Sequence, residues 1–234
     1  MAAKAVAAPE VPEREVHAAD FFDPASSTCG LADAIAALPK SGGRVRLAAG
    51  TYTLRRSLYL PSRVSLVGDG PASVLTILPL KTFLLANGVR KGQRVMELKA
   101  RPRFRVGDGI GLRDNERGGW WGTHGIVQKI EGKRVRLDVP FNRQLTVAQK
   151  ATAVTLFPAI LAEDETDIEI RDLTLNGPLG YAGRWWDFTY SGMHIVGCRR
   201  VRILNCTVAG WPSDGIGVQR GSDDVRVMIR YPEG

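Results

Sequence analysis

Residues 192–227 read GMHIVGCRRVRILNCTVAGWPSDGIGVQRGSDDVRV, and two patterns in this stretch repeat at almost the same interval. Val201-Arg-Ile203 returns 24 residues later as Val225-Arg-Val227. Gly192-Met-His-Ile195 returns 23 residues later as Gly215-Ile-Gly-Val218. A period of about 20–30 residues is typical of a solenoid, in which each turn buries its apolar side only by stacking on the next turn. The stretch therefore predicts stacked coils of short parallel strands.

An earlier copy of the pattern extends the repeat toward the N-terminus. Ile168-Glu-Ile170 lies 33 residues before Val201, and this longer interval predicts a loop inserted at Tyr181–Ser191. Residues 44–78 also alternate apolar and polar side chains in runs of four or five, separated by Gly, Pro and Asp turns. Such short strands without intervening helices are typical of an all-β architecture and not of an α/β one.

The N-terminal part carries a resemblance to a known superfamily. Residues 31–52, LADAIAALPKSGGRVRLAAGTY, predict an amphipathic helix of about ten residues that Thr28 caps and a Gly-Gly turn ends. This segment resembles the opening of right-handed parallel β-helix proteins of the pectin-lyase-like superfamily, where a capping helix precedes the first coil. Residues 60–70, LPSRVSLVGDG, resemble the second coil, and residues 192–227 resemble later coils.

The resemblance implies an all-β fold: a right-handed parallel β-helix, or solenoid, with a short N-terminal capping helix and a small antiparallel β insertion. We expect four regions, which are a flexible lead at 1–27, the capping helix and first coils at 28–80, a basic β insertion at 81–158, and further coils at 159–234. The last strand, Val225–Ile229, is followed by only five residues. We therefore expect a C-terminally truncated solenoid, or one whose open last coil self-associates.

The superfamily includes polygalacturonases, pectate lyases, uronan epimerases, phage tailspike depolymerases and non-catalytic surface proteins. The resemblance therefore implies a carbohydrate-active protein that binds an acidic polysaccharide and cleaves or modifies it by lyase, hydrolase or epimerase chemistry. The alternative is a non-catalytic glycan-binding or structural β-helix. Ser213-Asp214-Gly215 matches the first acidic motif of polygalacturonases in part, with Pro212 in the place of Asn, and the later motifs are absent from this chain.

The charge distribution supports an anionic partner. The chain has a net charge of +8, and residues 81–150 alone hold sixteen Lys or Arg against six Asp or Glu. A localised basic surface attracts polyanions. Acidic polysaccharide is the expected partner; we expect no nucleic acid, because no helix-turn-helix, RRM or KH pattern is present. No membrane span is expected, because no apolar run approaches the required length.

Three residues are candidates for acid–base chemistry: Asp214, Asp187 and His194. Asp214 lies in the turn between strands of consecutive coils, where an exposed carboxylate can act on a glycosidic bond or abstract a proton next to a uronate carboxyl group. Asp187, in the inserted loop, is the one nearby second carboxylate by coil stacking. His194 alternates with two apolar residues, should point outward and should stack on Gly217. The alternatives remain an ordinary Asp-Gly turn for Asp214 and a solvent-facing strand histidine for His194.

Two tryptophan pairs are candidates for binding sugar rings, since exposed indoles stack on the apolar faces of sugars. We expect a cleft wall built from seven residues: Trp120, Trp121, His124, Arg184, Trp185, Trp186 and Tyr190. The alternative is that the tryptophans fill the junction between insertion and solenoid as core.

Metal, redox and targeting signals are weak. Cys29, Cys198 and Cys206 have no metal-binding or redox spacing, which favours buried thiols over a disulfide or ligand role. No metal site or cofactor is evident, and Ca²⁺ is expected only if the chemistry is that of a lyase. The resemblance suggests an extracytoplasmic protein, although residues 1–16 lack the apolar core of a signal peptide.

Overall fold

The structure, a computed structural model, describes residues 12–116, 122–178 and 190–229, and nearly all of its regular structure is β-strand. Strands are numbered β1, β2 and so on in chain order. In the described ranges, no helix is long and apolar enough to span a lipid bilayer.

Three parallel ladders make up most of the fold, and each takes strands from successive stretches of the chain. The first ladder contains β2 (Gly43–Leu47), β5 (Val64–Gly68), β14 (Thr166–Arg171), β17 (Arg199–Ala209) and β19 (Asp223–Ile229). The second contains β3 (Gly50–Leu54), β6 (Ser73–Ile77), β15 (Thr174–Asn176) and the second half of β17. The third contains β4 (Leu58–Tyr59), β13 (Ile160–Glu163), β16 (Met193–Val196) and β18 (Ile216–Gln219).

The chain visits the ladders in the same order each time, so one circuit forms a coil that stacks on the coil before it. The registers confirm both repeats found in the sequence. Ile168 lies opposite Val201, which lies opposite Val225. Met193 lies opposite Ile216.

The space between the ladders is filled by stacks of aliphatic side chains, one from each coil. In the first ladder, Val45 lies opposite Leu66, Leu66 opposite Ile170, and Ile170 opposite Ile203. All four are 0% exposed. Burying such a side chain stabilises the fold by about 1.5–3 kcal/mol. The three cysteines are also buried and free, as predicted.

The corner that leads into the first ladder carries one left-handed residue per coil, and its charge alternates. The residues are Arg63, Asp167, Arg200 and Asp224, with φ of 61°, 61°, 51° and 59°. The strand registers place each one beside the next. Arg200 and Asp167 make two hydrogen bonds of 2.6 Å, from Nε and Nη2 to the two carboxylate oxygens.

The N-terminal end of the coils is covered by short elements. They are β1 (Glu15–His17), which pairs with β2, a 3₁₀ helix (Ala18–Phe21) and helix α1 (Leu31–Ala36). The described part of the lead predicted as flexible is thus partly structured. The predicted helix was too long, because Gly30 ends the preceding turn at φ 81° and becomes the N-cap residue. Thr28 still contributes, since its Oγ1 accepts a hydrogen bond from the Ala32 N–H.

The insertion is an antiparallel sheet, as predicted, and it leaves the coils between β6 and β13. Its spatial order is β7-β12-β9-β10-β11-β8, where the strands are β7 (Thr82–Leu84), β8 (Val95–Glu97), β9 (Gly109–Arg113), β10 (Thr123–Glu131), β11 (Arg134–Leu137) and β12 (Thr152–Val154). The predicted hairpin turn joins β10 to β11, with Gly132 at φ 63°. The sheet has its own apolar core, which includes Ile110, Leu137 and Phe141.

A buried ion pair joins the insertion to the first coil. Arg55 Nε donates to Asp108 Oδ1 at 2.9 Å, and the two side chains are 12% and 10% exposed. Arg55 also donates to the carbonyl oxygen of Ala25, and the Gly109 N–H donates to the carbonyl oxygen of Arg55. One residue therefore holds the N-terminal segment, the first coil and the insertion together.

We expect Arg55→Ala to lower the free energy of unfolding by about 3–5 kcal/mol, because it leaves the Asp108 carboxylate buried without its partner. Urea unfolding followed by circular dichroism measures this change. Arg46→Ala is the matched control: its pair with Asp69 has side chains 45% and 36% exposed, and we expect a loss below about 1 kcal/mol. Equal losses in the two variants would contradict the assigned role of Arg55.

Candidate functional site

An open groove of about 410 Å³ lies between the insertion and the third ladder. Its insertion wall includes His124 on β10 and Asn142, which follows β11. Its other wall includes Tyr190, which precedes β16, and His194, which lies on β16. The groove therefore exists only because the insertion folds back onto the coils.

The position of His194 follows from strand alternation. Its neighbours Met193 and Ile195 belong to the apolar core, so the imidazole points away from the core and lines the groove. The predicted stacking on Gly217 is confirmed, since the two residues are direct partners in the ladder. The interpretation of a solvent-facing strand histidine is wrong: the residue is only 8% exposed, because the groove walls cover it.

Glycines make room for the polar groups of the site. A Cβ atom at Gly217 would lie 2.0 Å from Ser191 Oγ and 3.7 Å from His194 Nδ1, so both atoms lie close to the same point. A Cβ atom at Gly111 would lie 3.2 Å from the Tyr190 ring. A side chain at either position would displace the residues of the site.

His124 and Tyr190 meet across the groove. Their rings pack edge to face, with centroids 4.8 Å apart and an interplanar angle of 74°. The Trp211 indole N–H donates to the Tyr190 carbonyl oxygen at 2.7 Å and fixes the backbone there. On the insertion wall, Thr123 Oγ1 donates to Asn142 Oδ1 at 2.8 Å. These contacts fix the positions of the His124 and Tyr190 rings and of the Asn142 side-chain amide.

Three polar atoms at the site are buried and have no hydrogen-bond partner in the described part of the chain: Tyr190 Oη, Ser191 Oγ and His194 Nδ1. The three residues are 7%, 0% and 8% exposed. Leaving a buried polar atom without a partner costs about 1–3 kcal/mol. Native proteins contain few such atoms, so a group of them marks a place where a ligand can form hydrogen bonds.

Burial also sets the protonation states. Desolvation raises the pKa of the Tyr190 phenol, against a smaller opposite effect of the Arg143 charge. Desolvation lowers the pKa of His124, opposed by Asp138, and it lowers the pKa of His194, with the charge of His124 as a further cause. At neutral pH the groove thus presents two uncharged imidazoles and one protonated phenol.

Charged groups flank this neutral cluster. Glu163 and Arg220 line the groove and lie 3.7 Å apart, Oε1 to Nη2, with both side chains exposed. Arg143 lies behind the wall and binds the buried Asp114 at 2.7 Å. In the described ranges, no three His, Cys, Asp or Glu residues are grouped to hold a metal ion.

The structure brings together three of the predicted site residues, His124, Tyr190 and His194. Six others lie outside the described residues: Trp120, Trp121, Arg184, Trp185, Trp186 and Asp187. Asp214 is exposed on the turn before β18, where its carbonyl oxygen accepts the Gly192 N–H, and it does not line the groove. Its catalytic role stays a prediction.

Sequence reasoning missed Ser191, Glu163, Arg220 and Asn142. The register of the coils indicates two of them, Glu163 and Arg220. Glu163 lies opposite Val196, and Val196 lies opposite Gln219, which is the residue before Arg220. No local pattern marks Asn142, because its place depends on how the insertion packs.

No protein-family model matches the sequence, and neither does any curated protein sequence. Among solved structures, the tailspike gp61 of Pseudomonas phage phi297 is 12% identical with a TM-score of 0.34, over 90% of this chain and 46% of that chain. The family 28 exopolygalacturonase of Yersinia enterocolitica is 14% identical with a TM-score of 0.38, over 92% of this chain and 43% of that chain.

These neighbours are pectin-lyase-like parallel β-helix proteins. A third is the Gp54 tailspike of Acinetobacter baumannii bacteriophage AP22, solved in complex with a capsular saccharide of its host. It is 11% identical with a TM-score of 0.30, over 82% of this chain and 42% of that chain. The chain thus spans less than half the length of each of these three proteins.

We expect the stability of the fold to fall as the pH is lowered from about 7 to about 5. The pKa values of His124 and His194 lie below the ordinary 6.5 in the folded chain. As the pH falls through 6.5, these two histidines therefore bind protons in the unfolded chain before they do so in the folded chain. A lower pH thus shifts the equilibrium toward the unfolded chain. Urea unfolding at several pH values measures this dependence.

The double variant His124→Gln/His194→Gln should show a weaker dependence on pH in this range. His17→Gln is the matched control, because His17 is exposed on β1 and far from the groove along the fold. If the double variant shows the same pH dependence as the unaltered chain, groups other than these two histidines cause it.

Proposed function

We propose that the groove between the insertion and the third ladder binds a segment of an acidic polysaccharide. The observation that carries the proposal concerns two lining residues, Tyr190 and His194, and Ser191 beside them. Tyr190 Oη, Ser191 Oγ and His194 Nδ1 are buried and have no hydrogen-bond partner among the described residues. A sugar ring presents several hydroxyl groups, and each can both donate and accept a hydrogen bond. Such a ligand suits a cluster that holds hydroxyl groups and an imidazole nitrogen.

The dimensions and lining of the groove fit a short stretch of a chain-like ligand. Its volume of about 410 Å³ lies within the range of about 300–1,000 Å³ that is usual for ligand sites. It is open to solvent, so a polymer can enter without threading. The edge-to-face pair of His124 and Tyr190 adds ring surface that can contact the apolar face of a sugar.

The basic insertion supports the choice of an acidic polymer. Lys99, Arg101, Arg103 and Arg105 are all exposed, while the intervening Phe104 is buried. None of these four cations forms an ion pair with a residue of the described ranges. Unpaired cations that lie close together along the chain attract a polyanion at long range. This attraction weakens as the salt concentration rises.

We also infer that the coils wind in the right-handed sense, which completes a right-handed parallel β-helix. Parallel strands joined by a crossover within one sheet are right-handed in about 98% of cases. Each coil forms such a crossover between neighbouring strands of the first ladder, as from β5 to β14. Non-catalytic binding of the polymer remains the alternative to cleavage, and a calcium requirement is expected only with lyase chemistry.

We expect His124→Ala to weaken the binding of acidic polysaccharide about tenfold, the factor that corresponds to about 1.4 kcal/mol, because it removes one ring of the pair that contacts the sugar. Affinity electrophoresis in gels that contain polygalacturonate, alginate or hyaluronan measures the change in Kd. Dextran, a neutral polymer, serves as the control ligand, and we expect weaker retardation in it.

His17→Ala is the matched control variant, because it removes an exposed imidazole outside the groove. We expect it to bind as the unaltered chain does. If His124→Ala and the unaltered chain bind these polymers equally, the groove is not the binding site.

A further inference from the structure

The groove lining carries no net charge at neutral pH, although the ligand proposed for it is an anion. Among the described residues that line the groove, Glu163 and Arg220 are the two that are fully charged, and their opposite charges cancel. His124 and His194 also line the groove, and an imidazole can gain a positive charge in the mildly acidic range. Protonation of both imidazoles therefore changes this lining from neutral to doubly positive.

We infer that an acidic polysaccharide binds in this groove together with protons, which His124 and His194 take up, so that the groove holds the polymer more tightly at about pH 6 than at about pH 8. The inference rests on the proposed function, since the polymer must bind in the groove, and it adds a regulation that the proposed function does not require. The coupling is reciprocal: if the polymer favours the charged imidazoles, protonation tightens the polymer to the same extent.

The surroundings of His194 keep its imidazole uncharged in the chain without polymer. Burial lowers its pKa, and the charge of His124 across the groove acts in the same direction. Glu163 on β13 opposes this effect, and Arg220, which follows β18, adds to it. The two direct neighbours of His194 in the ladder, a leucine and a glycine, carry no charge. His194 Nδ1 also has no partner among the described residues, so no hydrogen bond there favours the charged ring.

His124 is kept uncharged by the same main cause. Burial lowers its pKa, and the opposite charge of Asp138, which follows β11, acts against this effect. Asp138 Oδ1 already accepts a hydrogen bond from the Ile126 N–H at 2.6 Å. The other groups packed against His124 are the Tyr190 ring and Gly111 on β9, and neither is charged at neutral pH. The chain thus provides each imidazole with too little negative charge to hold a proton at pH 7.

A polymer carboxylate provides the negative charge that the groove lacks. Glu163 cannot provide it fully, because Arg220 lies 3.7 Å from its carboxylate. An opposite charge within about 4–6 Å favours the charged form of an imidazole and raises its pKa. A charged imidazole also donates stronger hydrogen bonds to a carboxylate than an uncharged one does. The polymer and the protons therefore stabilise each other in the groove.

The chain has three histidines, so the titration of each ring can be followed separately by NMR. The test records the ring-proton signals of the full chain between pH 5.5 and 8, with and without polygalacturonate, alginate or hyaluronan. The polymers stay ionised over this range, because carboxyl groups ordinarily titrate near pH 4. We expect bound polymer to raise the pKa values of His124 and His194. The pKa of His17, which is exposed on β1, should not change.

Affinity electrophoresis over the same pH range measures Kd. For the unaltered chain we expect Kd to be about tenfold lower at pH 6 than at pH 8, the factor that one added charge-assisted hydrogen bond gives. The double variant His124→Gln/His194→Gln should lose this dependence, and its Kd should change less than about twofold. His17→Gln is the matched control and should retain the full dependence. Circular dichroism at each pH verifies that the variants are folded.

Glu163→Gln separates an effect of charge from an effect of shape. The amide is close in size to the carboxylate, and the substitution leaves the positive charge of Arg220 without its opposite charge. We expect this variant to bind the polymer about two- to fivefold more tightly than the unaltered chain at pH 8, the range usual for an exposed charge. A purely structural role of Glu163 would instead leave binding equal or make it weaker.

Several results would overturn the inference while leaving the proposed function intact. They are bound polymer with unchanged pKa values of His124 and His194, a Kd that does not vary with pH, or the same pH dependence in the double variant. Equal or weaker binding by Glu163→Gln at pH 8 would overturn the charge balance on which the inference depends. Failure of the unaltered chain to bind any of the three polymers between pH 5.5 and 8 would overturn the proposed function itself, and the inference with it.

Discussion

Hydrogen bonding between successive coils is the interaction on which the rest of the structure depends. A strand in the middle of a ladder satisfies its backbone N–H and C=O groups only through the coils on either side of it. The same stacking aligns apolar residues such as Leu66, Ile170 and Ile203 in a continuous dry core. The position of every outward side chain is then fixed as well, which is how His194 reaches the groove wall.

The sequence repeat made the coils predictable. Because each core side chain must stack on the equivalent side chain of the next coil, similar residues recur at a regular interval. Ile168, Val201 and Val225 stand in the expected register for this reason. The insertion sheet was also predictable from alternation and its Gly132 turn. The N-terminal helix was predictable as an element, but the residue at which it begins was not, because the left-handed turn at Gly30 depends on the close approach of Phe21, a tertiary contact.

The candidate site could be predicted only in part. Some of its residues are placed by the coil repeat, and others are placed by the packing of the insertion against the coils. His194 follows from the period and from strand alternation. His124 and Tyr190 come from segments far apart in the chain, and their contact exists only because the insertion packs against the third ladder. No sequence pattern identifies Ser191 as a site residue, because its importance depends on tertiary contacts. Its hydroxyl has no hydrogen-bond partner among the described residues, and it lies against Gly217, where a side chain would not fit.

The alternating corner of Arg63, Asp167, Arg200 and Asp224 has a consequence for how the chain finds its fold. Coils of similar sequence can mispair, since one strand of Val and Ile fits a ladder nearly as well as another. A chain that skipped one coil would place Arg63 against Arg200, or Asp167 against Asp224, and like charges at that distance repel. Charge repulsion at this corner therefore lowers the stability of a register shifted by one coil relative to the native register.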